Sequence, residues 1–413
     1  MIEKEIILKL AKDHDSFYLY DENEILKSIE RLKNSFKGVD FLYSLKANPN
    51  LRILDSIFSQ NIGADAASLE EVKLSHEREV SKRDLQYSAP GKSEKDIRES
   101  IEIATIIADS FHEIELISKV AQDMKITAKI GIRINPNFTF HSDVGIPSKF
   151  GIDEDQIFEN LEKIKLTPNV EVTGIHVHSK SQELAEDIIE LYHKNVLDLA
   201  LRFQSALGRK LEFINMGSGI GIPYNQEDSP VEVEKIGRAF HNNLEEIKEK
   251  LKPIKIYIET GRYLVGKAGI YVTKVRDKKK SHGKTYIILN NTLNGFYRPS
   301  ISQMISNYTL EDYPVATEPL FTSFNSSQIG ILKSEELREE VTLMGNLCTA
   351  ADVVAHDVNL PKLEIGDVVI MNNAGSYSHA LTPLQFASME KPKEIFLEKT
   401  GKTIETKEKT IKY

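Results

Sequence analysis

Asp21-Glu22-Asn23-Glu24, the apolar positions Ile25, Ile29, Leu32 and Phe36, and then Phe41-Leu42-Tyr43-Ser44-Leu45-Lys46 set a pattern that recurs as far as Thr260. Asp21 is placed to cap a helix, with Glu24 three residues on. The four apolar positions fall at helical spacing and form one stripe. Gly38 ends that helix, and the run from Phe41 reads as a buried strand. Further strand-like runs lie near 63–68, 84–89, 104–109, 127–134, 171–178, 212–217 and 255–260. Between them sit helix-like stretches such as Leu69 to Glu79, Ser93 to Ile103, Glu183 to Phe203 and Val231 to Leu251. Eight strands alternating with helices is the count for a closed parallel (β/α)₈ barrel, the TIM-like form of the α/β class. An open doubly wound sheet is the second choice, disfavoured because eight fits closure.

Beyond about residue 270 the helical period fades. Ile270-Tyr271-Val272, Tyr286-Ile287-Ile288-Leu289, Val341-Thr342-Leu343-Met344 and Val368-Val369-Ile370-Met371 predict a C-terminal, mainly β domain. The early run Phe17-Tyr18-Leu19-Tyr20 is placed to join it. The expected division is a barrel over 21–265, with 1–20 and 266–413 forming the second domain. Lys278-Lys279-Lys280 and the stretch from Lys399 to Lys412 read as solvated loop and tail.

The whole chain of 413 residues suits two domains at roughly 150 residues each. Its 53 basic and 62 acidic side chains leave a net charge of −9, which argues against a nucleic-acid partner or an anionic membrane surface. No apolar run approaches a membrane span, and the N-terminus lacks a signal-peptide layout, so a cytoplasmic protein is expected. The single cysteine, Cys348, excludes an internal disulfide and a thiolate metal cluster, and no metal is expected. Taken alone, it reads as an inert small hydrophobe.

Barrels carry their chemistry at the carboxyl ends of the strands. Lys46 ends the first strand, the second carries Asp65 and Ser68, and the fifth holds Arg133. The sixth ends in His176-Val177-His178, the seventh runs into Gly217-Ser218-Gly219-Ile220-Gly221, and the eighth ends in Glu259-Thr260-Gly261-Arg262. Such polar groups are costly inside a barrel unless paired. Glycines after strand seven and Gly261-Arg262 after strand eight suit a phosphate, bound by backbone N–H groups and a positive charge. A lysine able to form an imine, a phosphate cup and a carboxylate match the needs of pyridoxal 5′-phosphate. The two histidines share a strand face, and either could cover the cofactor ring.

Tyr43-Ser44-Leu45-Lys46-Ala47-Asn48 resembles the cofactor-lysine segment of the fold-type III pyridoxal-phosphate-dependent decarboxylases, the ornithine/diaminopimelate/arginine group. Six further segments follow in the order of that family. They are Gly63-Ala64-Asp65-Ala66-Ala67-Ser68-Leu69-Glu70-Glu71, Ser148-Lys149-Phe150-Gly151, Gly174-Ile175-His176-Val177-His178-Ser179-Lys180-Ser181-Gln182, Glu259-Thr260-Gly261-Arg262, Leu347-Cys348-Thr349-Ala350-Ala351-Asp352 and Ala374-Gly375-Ser376-Tyr377. The resemblance is nearest to diaminopimelate decarboxylase-like enzymes and covers nearly the whole chain.

What it implies is a carboxy-lyase in which Lys46 carries the internal aldimine and His178 stacks on the ring. Glu259 would pair with the pyridinium nitrogen, and Asp65 and Glu71 would orient the lysine. Ser181, the Gly217-Ser218-Gly219 turn, Gly261 and Tyr377 would bind phosphate, with Arg262 near the phosphate or substrate. Arg298, Thr349, Asp352 and Tyr377 would join Arg262 on the substrate side. Cys348 would reach the neighbouring subunit's site and return a proton to Cα, which implies a head-to-tail homodimer. That reverses the bland reading of the cysteine.

Alanine racemases resemble the same barrel but set an arginine against the ring nitrogen, so Glu259 favours decarboxylation. Lys46 and Cys348 together disfavour a non-enzymatic binding protein on the scaffold. Four departures concern specificity. Thr349 stands where the family carries Glu or Asp, Ser302 replaces a tyrosine after Arg298-Pro299, Asn290 replaces an aspartate, and Lys180 replaces a glycine. A neutral Thr349 pairs poorly with a distal ammonium. The expected substrate is therefore a conjugated, carrier-linked or differently configured amino acid. Free diaminopimelate, decarboxylated to lysine, is the alternative.

Overall fold

The computed structural model describes residues 2–251, 254–306, 324–333 and 337–406. Two nine-stranded sheets organise them. In the first, eight parallel strands close on themselves: Asp40–Ser44, Gly63–Ala66, Leu85–Tyr87, Thr105–Ala108, Ala128–Asn135, Val170–His176, Phe213–Asn215 and Lys255–Thr260. Closure comes from the eighth strand pairing with the first, Glu259 opposite Leu42, and from the fourth pairing with the fifth. A short strand, Ile152–Asp153, extends the edge of the fifth. The chain is thus an α/β protein with a (β/α)₈ barrel, and the open-sheet alternative falls away.

The barrel's packing explains two of its glycines. The Phe213 ring lies across the interior, where a Cβ on Gly131 would come within 2.8 Å of it and one on Gly174 closer still. Phe213, Leu42, Ile107 and Tyr257 form a small apolar plug there. The mouth above it is left to polar side chains.

The helix expected after Asp21 spans Glu22–Ser35, with Asp21 accepting a hydrogen bond from the Asn23 amide at 2.9 Å. The cap is an Asx-type contact rather than a reciprocal box with Glu24. Helices at Leu69–His76, Glu94–Ser100, Glu186–Leu207 and Val233–Leu251 match the remaining expectations to within a few residues.

The second sheet is mainly antiparallel. It holds Ser16–Asp21, Gly269–Ser281, Lys284–Leu289, Ile329–Ile331, Arg338–Gly345, Val353–Pro361, Val368–Met371, Lys393–Leu397 and Thr403–Glu405. Ser16–Asp21 lies between Gly269–Ser281 and Lys393–Leu397, and all six of its residues are buried. Two expectations need correction. Lys278-Lys279-Lys280 is not a loop: the three residues pair with Ile287, Tyr286 and Thr285 in a hairpin ladder. The Lys278 amine reaches Glu339 at 2.5 Å and the Leu363 carbonyl at 2.8 Å, so the apolar stem is covered while the charge is satisfied. Within the tail, Thr403–Glu405 adds an edge strand to Lys393–Leu397, and residues 407–412 lie outside the described residues.

Candidate active site

Lys46 sits in a short 3₁₀ turn, Leu45–Ala47, directly after the first barrel strand. That turn packs tightly against the end of the eighth strand: a Cβ on Gly261 would come within 2.8 Å of the Ala47 methyl. The Lys46 charge acts on three carboxylates, Asp65, Glu71 and Glu259. Its placement beside them follows from the parallel register that sets Ser44 opposite Asp65 and Tyr43 opposite Thr260.

Glu259 is only 4 % exposed, and its carboxylate is surrounded by donors from other strands. His176 donates to Oε2 at 3.0 Å, Ser44 to Oε1 at 3.2 Å, and Asn215 approaches Oε2 at 3.5 Å. Asn215 also donates to Gln86 at 2.8 Å, and Ser88 donates to Asp65. Six of the eight strands or their ends therefore feed one buried polar layer. Burial alone would raise the Glu259 carboxyl. The His176 hydrogen bond and the nearby His178 and Lys46 charges outweigh that and hold it well below its usual range. Asp65 moves the other way, raised by burial and by the proximity of Glu259. Burial brings His176 down to about 4 despite its carboxylate partner, so near neutral pH it is an uncharged donor. Two neighbouring carboxylates in one pocket are thus shifted in opposite directions.

The two histidines now part. His176, still in the strand, holds Glu259, whereas His178 lies past the strand end over the glycine turn. A Cβ on Gly217 would come within 2.6 Å of His178 Nδ1, and His178 Nε2 stands 3.4 Å from the Ser181 hydroxyl. Gly217 and Gly219 have φ of +63° and +80°, the left-handed region that side chains avoid. Their carbonyls are drawn back to the barrel, Gly217 accepting from Glu259 N at 2.8 Å and Gly219 from Glu183 N at 2.7 Å. Ser218 Oγ accepts from Ile220 N at 3.1 Å, which tightens the turn. Such turns converge backbone N–H groups on an anion. Lys180, beside Ser181, ties this region to a neighbouring loop through Glu183 at 3.2 Å and His141 at 3.1 Å.

From the second domain comes the loop Ala374–Tyr377. Tyr377 N donates to the Ala47 carbonyl at 2.8 Å, and Asn48 donates to the Gly375 carbonyl at 2.9 Å, so this loop grips the lysine turn directly. The Tyr377 backbone is left-handed at φ +49°, and its ring faces the Arg262 guanidinium at 4.7 Å. Gly375 is required by close approach, because a Cβ there would overlap the Val265 carbonyl.

Two residues expected at the substrate are occupied elsewhere. Arg298 is 1 % exposed and donates to the carbonyls of Asn373 at 2.6 Å and Ser376 at 2.5 Å, and to Ser378 Oγ at 3.2 Å. It is the internal brace of the Tyr377 loop. Asp352 is fully buried, accepting from Leu293 N at 2.9 Å, from Leu347 N at 3.0 Å and from Thr292 Oγ1. It fixes the turn that presents Cys348, whose side chain is exposed, and Thr349. Asn290 and Ser302 likewise spend their polar groups locally, on Arg276 and Phe324. Arg133, noted on the fifth strand but given no role, lies 4.4 Å from the Phe150 ring and donates to the His178 carbonyl at 3.4 Å. Asn215 and Gln86 join the layer without belonging to the residues the sequence pointed to. An amide inside an otherwise apolar strand run was the available signal.

The residues present fit pyridoxal 5′-phosphate on two counts. A double left-handed glycine turn backs onto a histidine ring, and a buried carboxylate held low by the His176 hydrogen bond and nearby positive charge suits a protonated ring nitrogen.

Comparison with known proteins agrees. Residues 22–266 match the family described as pyridoxal-dependent decarboxylase, pyridoxal binding domain. The chain is 30 % identical over 403 residues to the L-glutamyl-[BtrI acyl-carrier protein] decarboxylase of Niallia circulans, covering 95 % of this chain and 91 % of that one. It is 28 % identical over 395 residues to the 2-[(L-alanin-3-ylcarbamoyl)methyl]-2-hydroxybutanedioate decarboxylase of Staphylococcus aureus, covering 93 % and 94 %. The crystal structure of diaminopimelate decarboxylase from Helicobacter pylori complexed with L-lysine superposes with a TM-score of 0.81 at 27 % identity, covering 95 % and 93 %. With its barrel, lysine turn and buried carboxylate in place, the chain belongs to the pyridoxal-dependent decarboxylases, carboxy-lyases that work with pyridoxal 5′-phosphate.

Proposed function

We propose that this decarboxylase removes the α-carboxylate of an amino acid whose far end is conjugated or carrier-linked, rather than of free diaminopimelate. The observation that carries this reading is the state of the substrate-side residues. Thr349 is neutral, and Arg298 and Asp352 are buried and spent on their own chain. A distal ammonium or carboxylate would meet none of those three as a charged partner. Relatives named for a carrier-linked glutamyl group and for a carbamoyl-linked alanine support it.

Lys46 would hold the cofactor's aldehyde carbon, and His178 would cover its ring. Glu259 would hold a proton at its nitrogen. Ser181, Gly217, Ser218, Gly219, Gly261, Arg262 and Tyr377 would hold its phosphate. Bound there, pyridoxal phosphate supplies an aldehyde for the substrate amine and a ring that accepts the electron pair left by CO₂. His176, Ser44 and Asn215 keep Glu259 in place and ionised. Asp65 and Glu71, on which the Lys46 charge acts, would orient the Lys46 amine at the mouth. The Cys348 thiol would supply the proton that Cα needs in place of the lost carboxylate.

Cys348 is exposed on its own chain, so we assign it to a second copy's site in a homodimer with two shared centres. No described helix is long and apolar enough to cross a membrane, and we place the enzyme in the cytoplasm, where a lone thiol stays reduced. The cofactor domain is taken as 21–265, with 1–20 and 266–413 as the second.

The test is kcat/KM, by CO₂ release, on meso-diaminopimelate against D- and L-diamino acids and their acyl conjugates. A conjugate should lead by tenfold or more. Equal or better turnover of meso-diaminopimelate would return the enzyme to lysine formation.

A further inference from the structure

Tyr224 follows the glycine turn, three residues past Gly221, and is 3 % exposed. Its backbone is pinned, with its amide and that of Asn225 donating to Asp228 Oδ2 at 3.0 and 2.9 Å. The side chain enters the seam between the two domains and meets both of the buried arginines found there. Arg262 donates through Nη1 to the phenol oxygen at 3.0 Å. The Arg298 guanidinium lies 5.0 Å from the centre of the Tyr224 ring. The phenol oxygen is also 3.5 Å from Ser376 Oγ, next to Tyr377. On its other side Arg262 faces the Tyr377 ring at 4.7 Å.

Two guanidiniums in one buried seam repel each other, and a low dielectric magnifies that repulsion. An oxygen that accepts from one and an aromatic face turned to the other are the groups that offset it. Tyr224 supplies both from a single side chain. Without them Arg262 would have reason to turn away from Tyr377, and the phosphate end of the site would lose its fixed shape.

We propose that Tyr224 is a positioning residue of this active site, holding Arg262 between two aromatic rings and so setting the Arg262–Tyr377 pair for the cofactor phosphate. This rests on the reading of Arg262 and Tyr377 as phosphate-side residues. The electrostatics agree. Burial alone would raise the phenol, but Arg262 and Arg298 outweigh it and bring it down to about 8.

The test uses the full chain stripped of cofactor, as wild type, Tyr224→Phe and Tyr224→Leu. Two readouts apply. The first is ultraviolet titration of tyrosinate between pH 6 and 10. Wild type should show one phenol ionising near 8 that is missing from Tyr224→Phe. The second is equilibrium binding of pyridoxal 5′-phosphate against pyridoxal, which lacks the phosphate. Tyr224→Phe should weaken the phosphate form about tenfold and pyridoxal less than twofold. Tyr224→Leu should weaken the phosphate form further, and if it fails to fold, Tyr224→Phe decides alone. An unchanged ratio of the two affinities in Tyr224→Phe, or identical phenol titrations, would overturn the proposal. A wild-type chain that binds neither compound would instead sink the cofactor-site reading, and the titration would still judge the placement of Tyr224 between its arginines.

Discussion

The barrel mouth and the Cys348 turn are built on opposite plans. At the mouth, Glu259, His176, Asn215, Gln86 and Asp65 are all buried and bonded to one another across strands, so the electrostatics are complete within one chain. At the turn, the buried residue is Asp352, which only braces the loop, while the chemical group, Cys348, faces outward. A preorganised polar layer stabilises charge without reorganising. An exposed thiol has no such shell until another surface covers it. The difference teaches that one half of this site is finished by folding, while the other, on the proposed homodimer, would be finished by association.

Four experiments press on that contrast. Lys46→Ala should have the largest effect, a fall in kcat/KM of about 10³-fold or more, roughly 4 kcal/mol of transition-state stabilisation. CO₂ release and the visible absorbance of the purified protein would register it, and wild-type turnover would remove the mouth from the reaction.

Acid should strain the barrel side. Burial brings His176 and His193 each down to about 4, and His193 lies among Phe36, Tyr192 and Phe240. The unfolded chain takes up their protons first, near 6.5, so stability is lost as pH falls from about 6.5 towards 4. One such group contributes about 3 kcal/mol across that window at most. His193→Phe should flatten the decline of Tm between those values; an unaltered slope would show that His193 titrates as if exposed.

Cys348→Ala should lower kcat about 10²-fold, the usual share of a positioned acid, and leave cofactor uptake intact. Mixed with Lys46→Ala under conditions that exchange subunits, it should regain up to about a quarter of wild-type activity, since random pairing restores one intact centre in half the dimers. No regain on mixing would confine each centre to one chain. The smallest effect is reserved for Thr349→Glu. A carboxylate there should shift the ratio of kcat/KM towards meso-diaminopimelate by about tenfold, or 1.4 kcal/mol. A ratio that stays put would mean that position 349 does not meet the distal end of the substrate.

Much of this was legible beforehand because it rests on periodicity. The eight barrel strands stand out as apolar runs between amphipathic helices, and their ends carry Lys46, Asp65, His176, the Gly217–Gly219 turn and Glu259. The burial of Arg298 and Asp352 was not legible, for a physical reason. A charged residue inside a family-like segment reads the same whether it meets a ligand or a backbone carbonyl, and only burial tells the two apart. The lysine run at 278–280 misled in a similar way, since charge is no bar to a strand whose side chains can reach Glu339 and water.

By itself the sequence determined the closed barrel, the family and the set of groups gathered at its mouth, because hydrophobic period and motif order are local properties of the chain. The tertiary structure decided which histidine holds Glu259 and which covers the glycine turn. His176 is the last residue of its strand and His178 lies two residues beyond the strand's end, which separates a buried hydrogen bond from the mouth. It decided as well that Arg262, Tyr224, Arg298 and Tyr377 meet. They come from four separate segments, Tyr224 and Tyr377 more than 150 residues apart, and no local pattern encodes that two buried cations will need the same phenol between them.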